Sequence, residues 1–257
     1  MRVASALTSL ALVPALALAG CGGGSGDSNS STATKSAAPV ASASAPAGKT
    51  WMDVVAKTPE GGYVQGNPNA PIKLVEYGSR NCPVCGHFAN TGVEPLRQKY
   101  ISKGTVSYEF RDFLVHGAPD LALALLNQCV PTESFFKVMD QIYANQSVFL
   151  DRTQQLVQNN PQLAQQLQAM PAPQAAVGFA DALGMVEFMK QRGVPEAKAR
   201  ACLADQKAIE AIAKVNGDAV NNGEVTGTPT FFINGKVVPN TAAWEALEPA
   251  LQAAGAR

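Results

Sequence analysis

Residues 72–88 read Ile72-Lys73-Leu74-Val75-Glu76-Tyr77-Gly78-Ser79-Arg80-Asn81-Cys82-Pro83-Val84-Cys85-Gly86-His87-Phe88. The first six alternate weakly and are rich in branched and aromatic side chains, which suits a central β-strand. A short Gly-Ser turn then delivers a Cys-x-x-Cys pair to the first turn of a helix. Backbone N–H groups point outward there and the helix dipole is positive, so a thiolate on Cys82 is stabilised and its pKa falls. Cys85 lies a turn further in and is expected to be buried and protonated.

Working outward, Phe88, Val93, Leu96 and Tyr100 recur near helical spacing, with a kink expected at Pro95 and an end at Gly104. Residues 105–113 then alternate strictly, with Val106, Tyr108 and Phe110 on one face of a strand. Upstream, residues 51–57 read as a short amphipathic helix, 58–62 as a turn, and Tyr63-Val64-Gln65 as a short edge strand. The order so far is β-α-β.

Residues 118–222 contain no convincing strand. Helices are predicted over 118–129, 133–144, 151–168, 174–192, 196–204 and 205–221, with breaks at Pro131, Pro161, Pro171, Pro173, Gly193 and Pro195. The glutamine-rich run 154–168 reads as a solvated helix face. The sheet resumes at Thr230-Phe231-Phe232-Ile233, turns at Asn234-Gly235, a strong hairpin signal, and continues through Lys236-Val237-Val238. A last helix from Thr241 places Trp244, Leu247 and Leu251 on one face.

The amino terminus sets the compartment in which the cysteines must be read. Met1-Arg2 and the apolar run 4–19 fit a secretory leader, and that run is shorter than the roughly twenty residues a membrane span needs. Leu18-Ala19-Gly20-Cys21 resembles a bacterial lipobox, which implies cleavage before Cys21 and lipid on that cysteine. Residues 22–48 are almost entirely small or polar and cannot bury a core, so they read as a tether. The expected organisation is a leader over 1–20, a disordered tether over 21–50, a first half-domain over 51–117, a helical insertion over 118–222 and a second half-domain over 223–257.

The chain has 20 basic and 20 acidic residues and no polybasic patch, which argues against a nucleic-acid partner. With Cys21 assigned to lipid, four cysteines remain in an oxidising compartment. The Cys82/Cys85 pair has three readings: a redox dithiol, half a zinc site, or a short structural disulfide. Zinc would need two more ligands, and only His87, His116 and the distant cysteines are available. The redox reading is favoured, with no metal and no cofactor.

The strand, Cys82-Pro83-Val84-Cys85, the helical block and Gly227-Thr228-Pro229-Thr230-Phe231 together resemble the DsbA-like branch of the thioredoxin-fold oxidoreductases, over about residues 61–253. The resemblance implies an α/β thioredoxin fold whose β-α-β and β-β-α halves are separated by a large all-helical insertion. It implies a cis peptide bond at Pro229 beside the pair, with the Thr228 backbone as a bridge for the substrate chain. Glu76, sharing a strand face with Ile72 and Leu74, matches the family's buried acid, which accepts the Cys85 proton. The best-known member carries His where Val84 stands, so a milder oxidant is expected here. His87 could sit beside the pair or on the helix surface.

Cys129 and Cys202 are expected to form a structural disulfide, as other DsbA-like proteins carry an additional pair; two free thiols or a second exchange site are the alternatives. Closing so long a loop contributes about 4 kcal/mol in the chain-entropy account. The expected activity is thiol–disulfide exchange through Cys82 and Cys85 on exported cysteine-containing proteins, most readily as an oxidase. A reductase or isomerase, a copper(I) chaperone and a non-catalytic binding lipoprotein are the competing classes. The expected partners are those substrates, a membrane redox protein that regenerates the pair, and the bilayer holding Cys21. The expected location is the periplasm, with Gly22 pointing weakly to the outer membrane.

Overall fold

The computed structural model describes residues 37–257; the leader, Cys21 and the first part of the tether lie outside the described residues. Six strands form one sheet: β1 (Val55–Lys57), β2 (Tyr63–Gly66), β3 (Ile72–Gly78), β4 (Val106–Asp112), β5 (Thr230–Ile233) and β6 (Lys236–Val238), in the order β1-β2-β4-β3-β5-β6. β3 and β4 run parallel, with Glu76 opposite Phe110, and every other neighbouring pair is antiparallel. β3 is thus an interior strand, and the apolar run that marks it in the sequence is what burial on both faces requires.

Between β3 and β4 the chain forms α1 (Pro83–Thr91), α2 (Val93–Leu96) and one wide turn over Arg97–Ile101. The expected single helix with a kink at Pro95 is instead broken at Gly92. A side chain at Gly92 would meet the Phe88 ring at 2.6 Å and Trp244 at 3.1 Å, so the break sits where close packing demands a glycine.

The helical block comprises α3 (Ala118–Gln128), α4 (Phe135–Ala144), α5 (Gln146–Asn159), α6 (Pro161–Ala169), α7 (Ala172–Ala182), α8 (Met185–Lys190), α9 (Glu196–Leu203) and α10 (Gln206–Asn222). Residues 121–126 of α3 are all buried, and with Ala176, Ala180, Met185, Met189 and Leu203 they form a core of their own. The helix expected over 174–192 is two helices, because Gly184 turns left-handed at φ 69° and ends α7. Pro161 separates α5 from α6, with Asn160 capping the second through a 3.2 Å bond from Leu163 N–H. A disulfide joins Cys129 at the end of α3 to Cys202 in α9, 73 residues apart.

The chain closes through β5, the Asn234-Gly235 turn and β6 into α11 (Trp244–Ala253). Both turn residues have positive φ, at 51° and 77°, as the tight hairpin requires. Phe88 of α1 meets Phe231 of β5 edge to face at 4.7 Å, and Leu74, Phe110, Trp244, Leu247 and Leu251 complete the sheet core.

Two readings at the start of the folded part are corrected. Residues 51–57 are not one helix: a single turn at Trp51–Asp53 gives way to β1, in keeping with the preference of Val54 and Val55 for extended backbone. β2 therefore has neighbours on both sides and is not an edge strand. The second part of the stretch read as disordered tether lies against the body. Ala37 N–H bonds to the Ala253 carbonyl at 2.8 Å, Val40 N–H to Gly255 at 3.0 Å and Ala43 N–H to Lys103 at 2.9 Å. The buried Trp51 indole donates to the Ala43 carbonyl at 2.7 Å, which anchors the strap.

Candidate active site

Cys82 is the N-cap of α1, with Pro83 at the first helical position, where a missing N–H costs nothing. Its carbonyl accepts the first helical bond, from Gly86 N–H at 3.0 Å. Cys82 is 7% exposed and Cys85 is fully buried beneath it. Both are free thiols. The Thr228–Pro229 peptide is cis, and the Thr228 carbonyl lies 3.4 Å from Cys82 Sγ.

The two sulfurs differ sharply in acidity. A hydrogen bond from Cys85 holds the Cys82 thiol down to about 5 against the opposing effect of burial, helped by Thr228 and the Cys85 and Val84 backbone amides. Burial pushes Cys85 well up, reinforced by its bond to Cys82 and the charge of Glu76. At neutral pH the pair is one thiolate and one thiol. That is the arrangement in which one sulfur attacks or leaves and the other waits.

Glu76 on β3 is 1% exposed and accepts a bond from the Tyr108 phenol of β4 at 2.5 Å. Burial raises its carboxyl to about 8 against the pull of Tyr108, with Cys82 adding to the rise. A carboxyl titrating there can hand a proton to Cys85 or take one from it near neutrality. Val84 is 46% exposed over the pair, and Pro83 and His87 are exposed on the same helix.

The turn that carries Cys82 is held by residues that the sequence does not single out. Arg80 is buried, with its guanidinium paired to Asp112, its Nε bonded to Asn127 at 3.0 Å, and the Phe110 and Phe135 rings at 5.0 and 5.6 Å. Gln146, at the start of α5, donates from Nε2 to the carbonyls of Arg80 at 2.9 Å and Cys82 at 2.8 Å. Gly86 makes room for it, since a Cβ there would stand 2.1 Å from Gln146 Oε1. The Tyr143 phenol donates to the Ser79 carbonyl at 3.2 Å. Asp120 of α3 accepts from Ser79 Oγ at 2.8 Å, Asn81 N–H at 3.0 Å and Asn81 Nδ2 at 3.1 Å. The helical block is thus bolted to the cysteine turn by side chains from α3, α4 and α5.

Two clefts flank this turn. One, of about 430 Å³, runs from Asn81 and His116 between apolar walls that include Leu150, Leu167 and Phe179. The other, of about 390 Å³, borders Thr228, Pro229, Val238 and Thr241. Among the described residues, no group of three or more His, Cys, Asp or Glu stands close enough to hold a metal ion. No described helix is long and apolar enough to cross a membrane.

The family profile described as Thioredoxin matches residues 58–253. A Rickettsia bellii protein named as a candidate protein-disulfide oxidoreductase is 25% identical over 195 residues, 76% of this chain and 65% of that protein. The chain therefore spans a little under two thirds of that relative. Disulfide bond formation protein D of Bacillus subtilis is 24% identical over 203 residues, covering 78% of this chain and 81% of that one. Among solved structures, a protein-disulfide isomerase from Novosphingobium aromaticivorans superposes with a TM-score of 0.68 at 27% identity, covering 73% of this chain and 94% of that chain. The Wolbachia pipientis α-DsbA1 structure shares the fold, with a TM-score of 0.57 at 18% identity over 79% of this chain and 94% of that one. Nearly the whole folded body is matched, from the turn before β2 to the end of α11, and the chain belongs to the thioredoxin family.

Proposed function

We propose that the chain is a thiol:disulfide oxidoreductase acting on cysteine-containing exported proteins, with Cys82 as the exchanging sulfur and Cys85 as its partner. The observation that carries this reading is the split in acidity between two sulfurs three residues apart, one near 5 and one well above the ordinary thiol range. In the oxidising direction a substrate thiolate attacks Cys82 Sγ of the Cys82–Cys85 disulfide and displaces Cys85, which takes up a proton from Glu76. A second substrate thiolate then attacks the first substrate sulfur, and Cys82 leaves with the electron pair. A leaving thiolate this stable makes the reduced enzyme the favoured form and drives substrate oxidation.

In reverse, Cys82 attacks a substrate disulfide and Cys85, losing its proton to Glu76, resolves the mixed disulfide. The relatives carry names from both directions, disulfide bond formation and disulfide isomerase. The low pKa of Cys82 favours the oxidising one. The Thr228 backbone, beside Cys82 Sγ, is positioned to pair with an extended substrate segment. Export, lipid on Cys21 and a membrane partner that reoxidises the pair belong to the same reading. They rest on the leader and lipobox sequence. Cys21→Ala is expected to release the protein from the membrane fraction, and its retention there would remove the anchor.

The activity is tested by oxidation of a reduced two-cysteine peptide and by the reduction potential of the pair. Wild-type protein is expected to oxidise the peptide and Cys82→Ser to lose all turnover. A potential toward about −120 mV marks an oxidase, and one near about −270 mV would make the enzyme a reductase.

A further inference from the structure

The cleft of about 390 Å³ beside the cis peptide has two walls, one from the segment that leads out of α10 into β5 and one from the segment that leads out of β6 into α11. The pairing of Val238 with Phe231 brings the second wall alongside Pro229. Thr228 lines the cleft, and its carbonyl lies 3.4 Å from Cys82 Sγ, so the first wall reaches the exchanging sulfur. A substrate chain that pairs with the Thr228 backbone while its cysteine engages Cys82 therefore continues across this cleft.

Pro229, Val237, Val238 and Pro239 give the cleft apolar surface, and among its described lining residues Glu224 alone carries a charge. The local sequence fixes where that charge stands. Gly223 ends α10 in the left-handed conformation at φ 70°, and Val225 is buried at 5% exposure, so Glu224 is held between them and faces solvent. Among the described residues, Glu224 takes part in no ion pair. An exposed, unpaired carboxylate meets a cation without the desolvation penalty that a buried one carries.

An apolar trough with one carboxylate on its rim matches the side chains of lysine and arginine, whose aliphatic stems lie along apolar surface while the charged head stays in water. Glu224 stands four residues before Thr228, a reach of at most about 14 Å in extended chain. We propose that Glu224 is a specificity-determining residue of the exchange site: it selects substrate segments that carry Lys or Arg within about four residues of the cysteine engaging Cys82, and disfavours acidic ones. This rests on Cys82 being the exchanging sulfur. Glu224 takes no part in the transfer of electrons or protons; it acts on which segment is held against Thr228.

The test mixes the full chain, with its Cys82–Cys85 pair oxidised, with reduced two-cysteine peptides that differ at one position, occupied by Lys, Gln or Glu. In one set that position lies three residues before the first cysteine and in a second set three residues after it. For wild type, single-turnover oxidation of the Lys peptide in the set that spans the cleft is expected to be up to about fivefold faster than that of the Gln peptide, the gain of one exposed ion pair, and the Glu peptide slower than both. The order is expected to flatten at high salt. It is expected to vanish in Glu224→Gln and to reverse in Glu224→Lys, with the Gln peptide as internal reference for each variant. Equal rates for the three peptides in both sets with wild type, or a Glu224→Lys variant that keeps the wild-type order, overturns the proposal. If wild type oxidises none of the peptides, the exchange reading itself fails, a result distinguishable from the other two.

Discussion

The Tyr108 phenol donates a 2.5 Å hydrogen bond to Glu76 Oε2, and both side chains are closed off from water. Burial dominates the carboxyl, which titrates near 8 where 4.5 is ordinary. The folded protein therefore holds this proton through a pH window in which the unfolded chain has released it. Stability from this group is complete below about pH 4.5 and declines as pH rises toward 8. Glu76→Gln removes the decline. Denaturant unfolding is expected to show the variant more stable than wild type by on the order of several kcal/mol at pH 8, with the advantage gone at pH 4. Equal stability at both pH values would show that Glu76 is not a buried, proton-holding carboxyl.

Tyr108→Phe removes the bond that draws Glu76 downward. The carboxyl is expected to titrate higher, and release of a mixed disulfide by Cys85 to require a pH about one unit higher than in wild type. Stopped-flow resolution of a Cys82 mixed disulfide across pH measures this. An unshifted profile would separate Glu76 from the proton of Cys85.

Gly86 and Gln146 make a second pairing, since the space above Gly86 is filled by the Gln146 amide. Gly86→Ala is expected to expel that amide from the Arg80 and Cys82 carbonyls, costing about 1–3 kcal/mol despite the better helix propensity of alanine. Gln146→Ala costs a similar amount through the same two bonds. The double variant is expected to be no worse than either single one, because both remove one interaction. Additive losses in thermal or urea unfolding would show that the latch is not shared.

The Cys129–Cys202 bridge ties α3 to α9 within the helical block, in a different core cluster from Cys82 and Cys85. Replacing both by alanine is expected to lower stability by up to about 4 kcal/mol while leaving the Cys82/Cys85 potential unchanged. A shifted potential would mean that the bridge communicates with the active pair.

What was legible in the sequence is local. The apolar run of β3, the Cys-x-x-Cys at a helix start, the Asn234-Gly235 turn and the prolines between helices each carry their structure in a few adjacent residues. What was hidden is contact between distant segments. Ser79-Arg80-Asn81 reads as a polar turn, yet it is buried, because Asp112, Asp120 and Asn127 supply its partners from 32 to 47 residues away. Arginine is seldom fully buried, so composition argued against the finding. Gln146 opens α5, which runs on into the glutamine-rich stretch, where its two bonds to the cysteine turn leave no pattern. His116 has no local signal either; its ring meets Asp120, four residues on, and Ser79 of the Cys82 turn, each at 3.5 Å. The strap over 37–50 looks like linker because Ala and Ser bury little surface, and its anchoring comes from the Trp51 indole and from backbone bonds to Lys103, Ala253 and Gly255.

The most direct test is the pH dependence of Cys82 alkylation in the reduced protein, read at that residue by mass spectrometry. The account predicts a midpoint near 5, with Cys85 unmodified through neutral pH. A Cys82 midpoint near the ordinary thiol value of about 8.5, or equal labelling of the two sulfurs, would contradict it.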